Sequence, residues 1–276
     1  MKLPIALLQF TGRNTIQANI ALCRQLISQA AAEGAKFLFL PEVSNIVERH
    51  PQQIKNQTYL EEKDPFLQMC KTLAKEHGLW IHIGSLALQQ KNESRLANRG
   101  FLLNPNGALV GFYDKIHMFD VDLPNGEQYR ESHNFKPGSK ACLLTTDWGK
   151  LGLSICYDLR FPHLYRHLAQ SGAKFIACPA AFTQKTGEAH WHALLKARAI
   201  ENSCFIIAAA QTGHHADGRK TFGHSLVVSP WGDIQLDSGK EEGVFHSILD
   251  LTEVDQARQN IPSLTADHAF TPVESA

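Results

Sequence analysis

The 276-residue sequence predicts an α/β fold, an α-β-β-α sandwich of two mixed sheets with an internal two-fold pseudo-repeat. Three observations carry that reading. Apolar runs of strand length alternate with stretches of helical periodicity, which is the pattern of sheets covered by helices. Hairpin signals interrupt the series, so the sheets are mixed and not purely parallel. The second half of the chain then repeats the order of the first.

The elements follow in order. PIALLQF (4–10) is an apolar run of strand length. A helix is expected over 16–33, with Asn14 as its cap and Gln17 three residues on. Ile20, Cys23, Ile27 and Ala30 recur at helical spacing, and Gly34 stands where the helix must stop. KFLFL (36–40) reads as a buried strand ending at Pro41-Glu42. A second helix is expected over 62–77, closed by Gly78. Strands at LWIHIGSL and FLLNPNGALVGFY follow, the latter folded at the Asn104-Pro-Asn-Gly107 turn.

The repeat is visible residue by residue. Gly34-Ala-Lys-Phe-Leu-Phe-Leu-Pro41 matches Gly172-Ala-Lys-Phe-Ile-Ala-Cys-Pro179, and the turn at 104–107 matches Ser229-Pro-Trp-Gly232. On this reading 151–156 (LGLSIC) takes the place of 4–9, and 204–210 takes the place of 79–85. A repeated unit this long is not a solenoid repeat, so residues 1–262 are expected to form one domain of two similar halves. Residues 263–276 are polar and unpatterned, and are expected to form a C-terminal tail.

Bulk properties exclude several classes. Lys plus Arg number 27 and Asp plus Glu 27, so the net charge of zero offers no electrostatic basis for binding nucleic acid or a membrane surface. The apolar fraction of 43% with 20% charged residues fits an ordinary globular chain. No run reaches the length of a transmembrane helix, and the apolar start reads as a buried strand, not a signal peptide. Six scattered cysteines without a CxxC pair suggest neither a zinc site nor a disulfide framework, and fit a reducing, cytoplasmic setting. The histidines contain no HExxH, and His190-x-His192 and His214-His215 lack a local acidic partner, so no metal or other cofactor is expected.

Ligands in α/β folds gather at the carboxyl ends of strands. Glu42, Lys115 and Cys156 each follow a predicted strand. Cys156 stands on a strand-to-helix turn, with Pro162 placed to open the next helix. Each residue alone has an ordinary structural explanation: a buried thiol, a loop acid, a surface lysine. A Cys–His pair is a further alternative, since histidines are plentiful, but it leaves Glu42 and Lys115 without a role.

The combined motifs decide between these. LPE (40–42), YDKIHMFD (113–120), YRES (129–132) and GLSICYDLRFP (152–162) together closely resemble the nitrilase superfamily of carbon-nitrogen hydrolases. The resemblance continues through CPAAFT (178–183), AHWHALLKARAIEN (189–202), AAAQTGHH (208–215) and FGHSLVVSPWGDI (222–234), and covers about residues 4–262. It implies the sandwich fold, assembly as a homodimer or larger homo-oligomer, and a catalytic set of Glu42, Lys115 and Cys156, with Glu131 as a further glutamate near the lysine. These residue types suit amide hydrolysis through a thioester: a sulfur nucleophile, a carboxylate to move protons, and a cation for the oxyanion.

Within the superfamily, YDKIHMFDVDLP, YRES and AAAQTGHHADGRKTFGHS are most similar to the deaminated glutathione amidase branch. The resemblance implies a small-molecule ketoacid amide as substrate. Omega-amidase acting on α-ketoglutaramate, N-carbamoyl amino acid hydrolase and a catalytically silent scaffold are the alternatives. The ending RQNIPSLTADHAF keeps the family's Ile-Pro but lacks the basic pair that usually follows. An anionic ketoacid needs cationic contacts, for which Arg130, Arg160 and Arg219 are candidates; Tyr157 and Thr183 are expected to line the pocket.

Overall fold

The computed structural model describes residues 1–123 and 126–271. Pro124, the end of the YDKIHMFDVDLP segment, and residues 272–276 of the expected tail lie outside the described residues.

The first half contains β1 (Lys2–Gln9), α1 (Ile16–Ala32), β2 (Phe37–Phe39), α2 (Pro51–Gln57), α3 (Pro65–His77), β3 (Trp80–Gln90), β4 (Glu93–Leu103) and β5 (Leu109–Asp114). A small hairpin of β6 (Asp120–Asp122) and β7 (Gln128–Arg130) then leads into α4 (Glu131–Asn134). The second half contains β8 (Cys142–Thr146), β9 (Gly149–Leu153), α5 (Pro162–Gln170), β10 (Ala173–Ala177), α6 (Gln184–Asn202) and β11 (Phe205–Ala208). It continues with β12 (Thr212–His214), β13 (Lys220–Phe222), β14 (Leu226–Val228), β15 (Ile234–Asp237), β16 (Gly243–Asp250) and α7 (Thr252–Asn260).

Two six-stranded sheets result, ordered β16-β1-β2-β3-β4-β5 and β8-β9-β10-β11-β14-β15. In each, three inner strands run parallel, two further strands extend one side as antiparallel hairpin arms, and one antiparallel strand closes the other. The fold is therefore the mixed α/β sandwich that the alternation implied, and the strand orders match half for half. The register of the repeat differs by one residue from the sequence reading. Phe37 pairs with Ile5 and its counterpart Phe175 pairs with Leu151, so 151 corresponds to 5 and Cys156 to Phe10. A one-residue slip exchanges the two faces of a strand, and only the ladder resolves it.

The pleat sorts the core. Leu3, Ile5 and Leu7 of β1 face the second sheet together with Phe37, Phe39, Leu151, Leu153 and Phe175, while Ala6 and Leu8 face α1 and α3. Phe37 meets Phe175 edge-on across the sheets at 6.2 Å between ring centroids. α1 buries Ile16, Cys23, Ile27 and Ala30, the helical stripe expected.

Two helix starts depart from expectation. The cap of α1 is Thr15, without a side-chain bond, and not Asn14. The turn is held instead by buried Asn19, whose amide bonds Arg13 O, Thr15 O and Asn45 O and accepts from Arg13 N. α3 begins at Pro65, not at 62, because Asp64 accepts from Leu67 N at 2.8 Å and proline is favoured at the first helical position. Gly78 ends α3 at φ 64°, as its sequence position required. In the tail, Ser263 O and Asp267 both bond Arg166 of α5, the latter as an ion pair. No helix among the described residues is long and apolar enough to cross a membrane.

Candidate active site

Glu42 follows β2, Lys115 follows β5 and Cys156 follows β9, so both sheets point their strand ends at one cavity of ≈ 1070 Å³. The centre is a buried charge cluster. Lys115, 2% exposed, lies between two carboxylates: its Nζ is 2.8 Å from Glu42 Oε1 and 2.8 Å from Glu131 Oε2. Burial alone would favour the neutral amine, but Glu131 and Glu42 outweigh it and raise the pKa of Lys115 well above the ordinary lysine value.

Glu42 is oriented from three sides. It accepts from Lys115, from Asn98 Nδ2 at 3.0 Å and from Ala181 N at 2.8 Å, and it hydrogen-bonds the Cys156 thiol. Burial opposes its charge, yet Lys115 and these donors hold its pKa below the usual carboxylate value. The Cys156 thiol is pushed the other way. Burial and then the Glu42 charge raise its pKa well above the usual thiol value, against the pull of Lys115. The cluster at neutral pH is thus a thiol beside a carboxylate and an ammonium: a nucleophile that must surrender its proton and a base placed to take it.

The turn carrying Cys156 is built around Asp158. Cys156 itself has φ 49°, and a 3-10 turn runs from Cys156 to Arg160. Buried Asp158 accepts from Ile155 N at 2.8 Å, Tyr113 Oη at 2.8 Å and His117 N at 3.1 Å, and lies 2.6 Å from His117 Nδ1. A left-handed cysteine is costly unless its surroundings hold it, and these four contacts do so. His117 is stacked on Phe161 with centroids 3.5 Å apart.

Among the predicted site residues, Glu131 joins the cluster: besides Lys115 it accepts from Asn98 Nδ2 and Phe119 N. Tyr157, Thr183, Arg130 and Arg219 line the cavity. Arg130 is tied to Asp122 and to the carbonyls of Val121 and Tyr129, and Arg219 to Asp217. Arg160 stands behind the cavity wall: its guanidinium bonds His190 and lies over the rings of Tyr157 and Phe182, which line the cavity. Among the described residues the charged groups that act most on the Cys156 thiol are Glu42, Lys115 and Glu131, so the proton acceptor beside it is a carboxylate.

Sequence reasoning missed Asn98, the Ala181 N–H and Arg49. Asn98 sits within β4, where an asparagine in a buried strand is the signal that was available: its carboxamide bridges Glu42 and Glu131 while Lys115 N bonds its carbonyl. Arg49 lines the cavity and holds no ion pair among the described residues.

Comparison with known proteins identifies the family. Residues 4–259 match the carbon-nitrogen hydrolase family. The chain is 39% identical over 263 residues to deaminated glutathione amidase of Synechocystis, covering 94% of this chain and 96% of that protein. The solved structure of the C. elegans NitFhit protein superposes with a TM-score of 0.91 at 32% identity. The match covers 96% of this chain, which spans about 65% of the length of the worm chain. The amidase of Nesterenkonia sp. AN1, solved as a mutant with acrylamide added at its active site cysteine, has a TM-score of 0.79 at 26% identity, over 94% of this chain and 98% of that one. With Glu42, Lys115 and Cys156 gathered on this sandwich, the chain belongs to the carbon-nitrogen hydrolase family and is a hydrolase of the amidase kind.

Proposed function

We propose that the enzyme hydrolyses the amide of deaminated glutathione to 2-oxoglutarate and cysteinylglycine, through a thioester on Cys156. The observation that carries this reading is the whole-chain similarity to a deaminated glutathione amidase, joined to a cluster whose protonation states suit the reaction. Glu42 takes the thiol proton as sulfur attacks the amide carbonyl. Lys115 and the N–H of Tyr157 stabilise the tetrahedral oxyanion. Glu42 returns the proton to the departing amine, leaving the thioester, then deprotonates the water that hydrolyses it. Glu131 and Asn98 hold Lys115 and Glu42 in place throughout.

Arg49, on the cavity wall without an ion pair among the described residues, joins Arg130 and Arg219 as a cation for the ketoacid carboxylate. The cavity of ≈ 1070 Å³ leaves room for a dipeptide leaving group. The six free cysteines suit a reducing cytoplasmic setting. Exposed Trp231 and Ile200 suit contact with a second copy of the chain.

Equal concentrations of enzyme assayed on deaminated glutathione, α-ketoglutaramate and an N-carbamoyl amino acid test the substrate. A higher kcat/KM for deaminated glutathione is expected, because its large leaving group adds contacts that help place the carbonyl. A clear preference for α-ketoglutaramate would move the enzyme to the omega-amidase reaction.

A further inference from the structure

Outside the cavity, three side chains remote in sequence converge on one carboxylate. Asp237, at the end of β15, is 2.9 Å through Oδ2 from His192 Nε2 of α6, 45 residues away. Through Oδ1 it is 2.8 Å from Nδ1 of His224, 13 residues away in the link from β13 to β14. One ligand atom from each residue lies within 4.8 Å of the others. None of the three lines the catalytic cavity.

The arrangement is held by groups other than the trio. His224 has φ 54° and follows Gly223 at φ 73°, so a non-glycine residue is kept in the left-handed region. Its backbone is pinned on both sides: its N–H donates to Gly239 O at 2.6 Å and its carbonyl accepts Trp191 Nε1 at 2.8 Å. Trp191 is the neighbour of His192, so α6 carries one imidazole and anchors the backbone that presents the other. Gly239 N donates to Asp237 Oδ1 at 3.0 Å and orients the carboxylate. Phe222 stacks against His224 at 4.3 Å between centroids and closes one side of the cluster. A backbone outlier held by its surroundings points towards function, and here it aims a ring nitrogen at a carboxylate.

We propose that His192, His224 and Asp237 form a binding site for a divalent transition-metal ion, such as Zn²⁺ or Ni²⁺. Two imidazoles and a carboxylate are the donor set of such ions, whereas Ca²⁺ and Mg²⁺ take oxygen donors. Bonds of about 2.0–2.2 Å bring donors at this spacing onto one ion as the carboxylate exchanges hydrogen bonds for coordination. His192 and Asp237 are about a third exposed, so water can complete the coordination. The site would tie α6 and β15 to the root of the β12–β13 hairpin, whose residues Arg219 and Thr221 wall the cavity.

The test uses the full chain, stripped with a chelator and titrated with Ni²⁺ by calorimetry and visible absorption. Ni²⁺ is chosen because nitrogen and oxygen ligation is distinguishable from a thiolate charge-transfer band, which separates this site from Cys156. One equivalent without a thiolate band is expected, with a Tm increase of about 5 °C when Ni²⁺ exceeds its Kd about 100-fold. His192→Ala keeps a good helix former in α6 and, like Asp237→Asn, should weaken that equivalent by about 100-fold or more, since even loss of an outer partner can cost that much. No bound equivalent in the wild type, or an equivalent unchanged in both variants, would overturn the site and leave Asp237 as a hydrogen-bond acceptor for two histidines.

Discussion

The two halves of the molecule share strand order, a Gly-Ala-Lys-Phe strand and a hairpin turn, yet they place different chemistry at corresponding points. Glu42 of the first half corresponds to Ala180 of the second, through the aligned Pro41 and Pro179. Lys115 corresponds to Lys240, each eight residues beyond its aligned turn. Cys156 of the second half corresponds to Phe10 of the first. One set of positions forms the charged cluster around a cavity. In the other set Phe10 is fully buried and Lys240 is exposed, and beside them Gln9 accepts from Ser225 and Ser238 in an uncharged network. The difference teaches that the backbone symmetry is indifferent to catalysis. A shared fold offers two equivalent strand-end sites, and side chains make one of them reactive and seal the other with neutral hydrogen bonds.

The largest effect should come from removing the nucleophile, whose counterpart in the other half is the inert Phe10. Cys156→Ala should abolish turnover, because no thioester can form, while circular dichroism and the melting curve stay close to wild type. Steady-state hydrolysis at the wild-type rate would refute the assignment of the nucleophile.

Glu42→Gln should have the next largest effect. It keeps the shape of the side chain but removes its capacity to take the thiol proton, moving this site towards the uncharged character of its counterpart. A fall in kcat of roughly 100-fold or more is expected from loss of a general base. A rate within a few-fold of wild type would place the base elsewhere.

The smallest effect is on stability alone. His82 of β3 corresponds to Ile207 of β11, each paired with the equivalent strand residue. His82 is buried, its Nδ1 has no partner, and burial lowers its pKa to about 3. The folded state therefore keeps it neutral, while the unfolded chain binds a proton below pH 6.5. Stability from this group is intact above pH 6.5 and declines as pH falls from 6.5 towards 3, by up to about 1.4 kcal/mol per pH unit. His82→Ile, which copies the other half, should remove that share of the acid sensitivity. Denaturant titrations of both proteins between pH 7 and pH 4 measure it, and parallel pH curves would show that His82 contributes nothing.

Much of this was determined by the sequence itself. Strand–helix alternation, the matching octapeptides, the stops at Gly34 and Gly78 and the start at Pro162 act within a turn or two of the chain, and local sterics and periodicity encode them. Strand ends likewise singled out Glu42, Lys115 and Cys156, and the resemblance to the nitrilase superfamily added Glu131. Tertiary structure decided the rest. Lys115 meets Glu42 across 73 residues and Glu42 meets Ala181 N across 139, so neither the charge balance nor the raised thiol pKa has a local signature. Asn98 as a bridge, Arg160 over the rings of Tyr157 and Phe182, the one-residue register of the repeat and the meeting of His192 with Asp237 belong to the same class. They arise where separate strands and helices pack, and a linear pattern does not record which side chains will share a few ångströms of buried space.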